Sequence, residues 1–384
     1  MRVTLVIAGL GGGGAERICI NLANAWAERG KQTTLLTILQ KSRAPAYAID
    51  PRVERRDIGC PRPAQLSELN PAAIAPVQRL LDVALCPQLL QDLSTIAMLR
   101  HAILGAKPDV VVSFIDRTNV RVLAAMAETR VPVVVCEVTD ARRISLGKWD
   151  GAREELYRRS AAAVIAPDPS IAQWLASKGA RARAIHNPLV APLIQHHGLK
   201  GERRRLVTLS RLSAEKRPEF LVRAFASIAA RFPEWDLELH GLGPQQNFLE
   251  HLVEKLAPNR VRFCGFTEDP YSVLASADLF VSASRLEGFG NAIWEALACG
   301  LPVVAMDAGP PVRALVRHGI DGLVVSQNTM LALANALAEL MGDEVKREAY
   351  ASRAPEVLER FPFESALEKW EELFREISFS YSAT

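Results

Sequence analysis

Twice along its 384 residues this chain runs through the same alternation of short apolar segments and amphipathic stretches, and that repeat constrains the fold more than any other feature. In the first half the apolar segments are Val3 to Ala8, Thr33 to Leu39, Val110 to Phe114, Val131 to Cys136 and Ala163 to Ala166, with Ala15 to Arg29 the clearest helix between them. Short continuous apolar runs separated by helical periodicity suit a parallel sheet covered on both faces. Residues 188–203, rich in Pro, Gly and polar residues, break the periodicity and read as a linker. The alternation then resumes with Arg205 to Leu209, Asp236 to His240, Val261 to Cys264, Leu279 to Ser282 and Pro302 to Ala305. The expectation is an α/β chain of two facing, doubly wound domains, 1–187 and 204–362, followed by a helix over 363–384. Sheets of this kind bind ligands beyond the carboxyl ends of their strands, which puts the expected site in a cleft between the domains.

Two stretches are less regular. In the last helix Phe363, Leu367, Trp370, Phe374 and Ile377 recur at spacings of four and three, making one apolar face that packs on its own domain or crosses back to the first. Between about Asp50 and Lys107 the chain is rich in Leu, Pro and Arg, and Val77 to Leu99 has amphipathic character. That stretch reads as a core helix, or as a surface insertion that meets an acceptor or a membrane.

Composition removes several classes of function. Apolar residues make up 49% and charged residues 23%, as in an ordinary soluble α/β protein, and no run approaches 18 uninterrupted apolar residues. Cys19, Cys60, Cys86, Cys136, Cys264 and Cys299 are scattered without a C-x-x-C pair. They read as reduced core residues, and with a strand-like Arg2 to Ile7 standing where a leader would begin, the expected location is the cytoplasm. Residues 1–200 carry 26 Lys and Arg against 17 Asp and Glu, whereas the remainder carries 20 against 26. A basic first half fits an anionic partner, such as the phospholipid of an inner membrane face or a pyrophosphate-linked acceptor, or is merely a solvated basic surface. No nucleic-acid partner is expected.

The residues that carry chemistry sit at strand ends. Glu287-Gly-Phe-Gly-Asn-Ala-Ile-Trp-Glu295 places two carboxylates eight residues apart across a strand-to-helix turn, with Asn291 near the helix N-cap. Such a turn aims backbone N–H groups and partial positive charge at one point, which suits a phosphate or a sugar hydroxyl. In Ser210-Arg-Leu-Ser-Ala-Glu-Lys216, Arg211 and Lys216 offer a planar fork and a compact charge to phosphate oxygens. No D-x-D sequence occurs, so a metal-held diphosphate has no support and neither metal nor cofactor is expected. Gly9-Leu-Gly-Gly-Gly-Gly14 follows the first strand and opens a helix, as a phosphate-approaching loop does. It satisfies G-x-G-x-x-G only because four consecutive glycines satisfy most glycine patterns. The second strand ends Leu39-Gln40-Lys41, without the acidic residue that a dinucleotide ribose needs. Gly241-Leu-Gly-Pro244 and Gly265-Phe266-Thr267 each follow a strand and either admit a flat base or form ordinary turns. Single histidines such as His186 and His318 read as structural.

Taken in order, these residues resemble glycosyltransferase family 4, the retaining sugar-nucleotide transferases of GT-B architecture with two Rossmann-like domains. The likeness covers nearly the whole chain: the glycine-rich opening through Glu16, the Arg211 and Lys216 pair, Gly265-Phe-Thr267, and Glu287-Gly-Phe-Gly followed by Glu295-Ala-Leu-Ala-Cys-Gly-Leu-Pro-Val-Val. The resemblance implies that Arg211 and Lys216 neutralise the donor diphosphate and that Glu295 holds the ribose hydroxyls. It assigns the transferred sugar to Glu287 and the backbone of Gly288, Phe289, Gly290 and Asn291, with Gly12, Gly13 and Gly14 closing over the donor and Phe266 and Thr267 beside it. It implies retention without a protein nucleophile, the leaving phosphate helping to deprotonate the acceptor. One position departs from the pattern, since Glu137 follows Val131 to Cys136 where many members carry histidine. Glu137 contacts sugar or acceptor, or only pairs with Arg142 or Arg143. With Phe114-Ile-Asp116-Arg117-Thr-Asn119, it marks the acceptor region. The opening glycines, that segment and the residues after Ala308 look most like members that build bacterial surface polysaccharides on a polyprenyl-pyrophosphate carrier. The expected reaction is therefore transfer of a hexose or N-acetylhexosamine from a UDP-sugar to a lipid-linked saccharide. Alternatives are a GDP-mannose-dependent mannosyltransferase, a sugar-nucleotide 2-epimerase and a non-catalytic nucleotide-sugar-binding partner.

Overall fold

The computed structural model describes residues 1–39, 44–59, 75, 92–142, 145–193 and 203–382. Of the segments singled out above, 77–91, most of the linker, Gln40-Lys41, Cys60, Cys86 and Arg143 lie outside the described residues. The chain divides into two compact units, Met1–Pro188 with Glu364–Thr384, and Leu189–Phe363.

The first unit is built on a parallel sheet of β1 (Arg2–Ile7), β2 (Gln32–Thr37), β3 (Glu54–Asp57), β4 (Val110–Phe114), β5 (Val133–Cys136), β6 (Ala163–Ala166) and β7 (Ala182–Ala184). Its spatial order is β3-β2-β1-β4-β5-β6-β7. The second unit carries β8 (Arg204–Leu209), β9 (Trp235–His240), β10 (Val261–Gly265), β11 (Leu279–Ser282), β12 (Val303–Met306) and β13 (Gly322–Val325), ordered β10-β9-β8-β11-β12-β13. Every strand pair is parallel. Two doubly wound α/β domains are thus present, and the strands read from the sequence occur with ends displaced by no more than two residues. Strands β3, β7 and β13 were not among them. In each sheet the winding reverses once, between β1 and β4 and between β8 and β11, and a crevice opens beyond the strand ends at such a reversal.

The central strands are fully buried, as their Val-rich runs require: all five residues of β4 and all four of β5 and β11 are enclosed. The last helix, Phe363–Ser382, belongs mainly to the first unit. Its Leu367, Trp370, Phe374 and Ile377 are buried, and Trp370 and Phe374 stand 5.6 and 5.0 Å from the Trp26 ring on helix Gly14–Glu28. Lys31 to Glu371 at 2.8 Å and Arg183 to Glu376 at 2.6 Å flank that apolar seam.

Candidate functional site

In the second unit the loops after β8 and β11 meet at the reversal of the sheet. The chain leaving β8 is laced to the loop after β9: Leu212 N–H donates to the Leu242 carbonyl at 3.1 Å, and Gln245 N–H donates to the Leu212 carbonyl at 3.1 Å. This approach is possible because residue 243 is glycine; a Cβ there would lie 2.2 Å from the Leu212 oxygen. Arg211 is left exposed on the loop. The turn continues to Arg217, at φ 53°, and Pro218 then starts helix Pro218–Ile228 with a φ already suited to its first position. Arg285 N–H, just beyond β11, donates to the Glu215 carbonyl at 2.9 Å and ties the two loops together. Across that tie Lys216 Nζ donates to Glu287 Oε1 at 2.6 Å, with both side chains mostly enclosed.

Glu287 leads into helix Asn291–Ala298, which has no side-chain cap. Gly290, not Asn291, is the N-cap: its φ of 101° is a conformation that favours glycine, and Asn291 is already helical. Gly288, Phe289 and Gly290 are buried. The Phe289 ring packs edge-on against Phe361 at 5.5 Å, so the ring is part of the core. Glu295, one turn into the helix, is 4% exposed. Its charge and, above all, burial push the Cys299 thiol up to about 12. Lys216 and Glu287 therefore meet at the sheet reversal, with Arg211 on the same loop as Lys216 and Glu295 one turn into the helix that follows, a set that suits an anionic ligand bearing hydroxyl groups.

The neighbouring strand ends are drawn close as well, since Gly241 N–H donates to the Gly265 carbonyl at 2.7 Å. Phe266 follows that contact with its ring exposed, as is Leu242, while Thr267 Oγ1 accepts from Asp269 N–H at 3.2 Å. On the same sheet Glu238, His240 and Cys264 bring ligand atoms within 4.8 Å of one another. Arg205, however, spans both Glu238 oxygens at 3.1 and 2.6 Å, so this cluster is closed as an ion pair. Those contacts and His240 hold the Glu238 carboxyl down at about 2, against the pull of burial in the other direction.

In the first unit, the glycine loop sits after β1. Gly12 has φ 95°, and Gly13 is the N-cap of helix Gly14–Glu28. A Cβ on Gly13 would come within 2.4 Å of a Glu16 carboxylate oxygen. Tyr47 Oη donates to the Gly12 carbonyl at 2.7 Å, and Arg17 lies over the Tyr47 ring at 4.6 Å. Tyr47 was missed because it stands outside any motif.

Beyond β4, Asp116 is buried as the first residue of helix Asp116–Ala125, while Arg117 is exposed with its guanidinium 5.7 Å from the Trp149 ring. The pairing of Glu137 with Arg142 does not occur: Arg142 forks onto Asp140 at 2.7 and 2.8 Å. Glu137 is instead enclosed beyond β5, 1% exposed, and accepts from Tyr157 Oη at 2.5 Å. Burial first, then the neighbouring Asp116, holds its carboxyl well above the usual carboxylate range. The Tyr157 partner lies 20 residues away on helix Asp150–Arg159 and had no signature in the sequence. His318 is structural, its Nδ1 accepting from Val324 N–H at 3.1 Å.

Residues 12–190 match the family model Glycosyltransferase Family 4, and residues 191–357 match Glycosyl transferases group 1. An exopolysaccharide phosphotransferase of Streptomyces coelicolor is 28% identical over 381 residues, covering 95% of this chain, which spans 39% of that protein's length. A GalNAc-alpha-(1->4)-GalNAc-alpha-(1->3)-diNAcBac-PP-undecaprenol alpha-1,4-N-acetyl-D-galactosaminyltransferase of Campylobacter jejuni is 23% identical, with 98% of this chain and 99% of that protein aligned. Among solved structures, Anabaena HepE in complex with UDP and glucose superposes with a TM-score of 0.76 at 21% identity, covering 98% of this chain and all of the other. No helix among the described residues is long and apolar enough to cross a membrane.

Proposed function

The chain belongs to the family 4 glycosyltransferases of GT-B architecture, and we propose that it moves a hexose or N-acetylhexosamine from a UDP-sugar to a lipid-linked saccharide in bacterial surface-polysaccharide synthesis. The observation that carries this reading is the Lys216 to Glu287 contact at 2.6 Å, with Arg211 on the same loop, at the reversal of the second sheet. In the proposed reaction the donor diphosphate takes Lys216 from Glu287 and lies along Arg211, and Glu287 is freed to accept from a sugar hydroxyl. Charge develops on the leaving phosphate oxygen as the glycosidic bond breaks. Fixed cations contribute most there, because they need no reorganisation at the moment of transfer. Glu295 holds the ribose hydroxyls, Phe266 and Thr267 border the base, and the backbone of Gly288 to Asn291 supports the sugar. Neither a protein nucleophile nor a metal takes part, and the configuration at the anomeric carbon is kept. Asp116, Arg117 and Glu137 form the acceptor region of the first unit. The HepE complex, which holds UDP and glucose, and the undecaprenol-linked substrate in the Campylobacter enzyme's name support the donor and acceptor classes.

Thermal stabilisation by a panel of UDP- and GDP-sugars tests the donor, because a ligand that binds only the folded chain raises its apparent stability. A shift with a UDP-sugar, kept in EDTA, is expected. A larger shift with GDP-mannose would move the assignment to a mannosyltransferase, and a shift that requires magnesium would overturn the metal-free reading.

A further inference from the structure

Where β4 and β5 end side by side in the first unit, two carboxyl groups face each other with no donor between them. The strands are in register, Phe114 opposite Cys136, so Asp116 and Glu137 follow their ends as near neighbours. The two side chains lie within hydrogen-bond reach of each other, yet Asp116 Oδ1 and Glu137 Oε2 are both buried without a donor. Two facing acceptors are satisfied when a proton sits between them, and one carboxyl of such a pair stays neutral because like charges at that distance cannot both ionise. The other Glu137 oxygen is already occupied by Tyr157 at 2.5 Å. Tyr157 is itself held by Asn119 at 3.1 Å, and Asn119 anchors to the Cys136 carbonyl at 2.9 Å. Glu137 is thereby locked in place.

A second observation lies beside this pair. Arg153, 8% exposed and close enough to act electrostatically on Glu137, has Nη1 buried with no acceptor. Thr139 Oγ1, two residues beyond Glu137, is also buried without a partner. Donors left unmatched beside a carboxyl pair match a group that both donates and accepts, which is the chemistry of a sugar hydroxyl. Glu137 also lines a cavity together with Phe114, His186 and Asn187.

We propose that Asp116 and Glu137 share one proton and act as a unit that holds a hydroxyl of the saccharide acceptor, Asp116 accepting from it and Arg153 donating to it. The proposal rests on the glycosyl-transfer reading above and names the groups that recognise the acceptor. Glu137 is a positioning residue, acting through Asp116. The titratable and charged groups near the pair are Tyr157 and Arg153 on helix Asp150–Arg159, Cys136 on β5 and His186, which lines the same cavity as Glu137. Loss of the shared proton at alkaline pH puts two negative charges beside each other and weakens acceptor binding.

The test joins a proton readout to acceptor kinetics on the full chain. Infrared difference spectra at neutral pH should contain the carbonyl band of a protonated carboxylic acid that disappears in Glu137→Gln. With a synthetic polyprenyl-diphosphate disaccharide as acceptor, Glu137→Ala should raise the acceptor KM roughly tenfold, the scale on which one misplaced hydrogen bond from the acceptor to Asp116 is felt, with UDP affinity unchanged. Glu137→Gln, which keeps a donor towards Asp116, should recover most of that loss and should lack the alkaline rise in KM that the shared proton predicts for the wild type. Absence of the infrared band, or Glu137→Gln as damaging as Glu137→Ala in a folded protein, overturns the proposal. Failure of wild-type chain to bind UDP would instead remove the donor reading, while the infrared band still decides whether the proton is shared.

Discussion

At the residue scale the second unit holds its reactive cation in reserve. Lys216 is neutralised by Glu287 in the unliganded chain, so a diphosphate that takes the lysine exchanges one anion for another at Nζ and leaves the Glu287 carboxylate to be satisfied by a sugar hydroxyl. Arg211 has no such constraint on its loop and stays exposed. Arg211→Ala and Lys216→Ala should each lower kcat about a hundredfold or more, the scale of removing one group that stabilises developing charge, with circular dichroism unchanged. Near-wild-type turnover in both would end the leaving-group role. A second residue-scale expectation concerns acid stability. Folding lowers the Glu238 carboxyl from 4.5 to about 2, so the unfolded chain takes up the proton first as the pH falls. Its contribution is complete above about 4.5 and is lost as the pH falls through about 2. Urea midpoints measured across that window should decline in the wild type and decline less steeply in Glu238→Gln; parallel curves would show that the Arg205 pair is not responsible.

At the scale of elements, strand-end loops govern what the site residues can do. Gly290 combines φ 101° with a Leu315 methyl that a Cβ would approach to 3.1 Å. Gly290→Ala should therefore cost about 1–3 kcal/mol of stability by strain and weaken UDP binding, since the turn that aims Glu287 and the helix N-terminus must shift. Isothermal titration with UDP and a thermal melt measure both effects, and unchanged affinity in the variant would detach this turn from the donor. The same scale explains what could be read in advance. Strands such as Val110–Phe114 and Leu279–Ser282 are buried on both sides and write themselves as apolar runs. The edge strand Glu54–Asp57 is exposed along its whole length and carries four charged residues, so it forms by pairing with β2 and has no hydrophobic pattern of its own. Among site residues, the Glu287 and Glu295 spacing is local to one turn and helix and was legible. The Lys216 to Glu287 bond joins positions 71 apart, and the Glu137 environment depends on Tyr157 from a different helix. Such partners follow from the strand order, which sequence periodicity does not specify.

At the scale of the whole molecule, helix Phe363–Ser382 completes the core of the first unit. Trp26 on helix Gly14–Glu28 is wholly enclosed, and the rings that touch it, Trp370 and Phe374, come from the other end of the sequence. The flanking pairs Lys31 to Glu371 and Arg183 to Glu376 are partly or largely exposed and add little, so the apolar seam must supply most of the attachment. Trp370→Ala removes a fully buried ring from that seam and should cost about 3–5 kcal/mol in the unit that holds it. Hydrogen exchange read by segment distinguishes where the loss falls. Faster exchange is expected over β1, helix Gly14–Glu28 and the C-terminal helix, with the amides of β8 to β12 protected as in the wild type. Uniform loss of protection across both sheets would mean that the two units unfold together and that the helix stabilises the molecule as a single cooperative body.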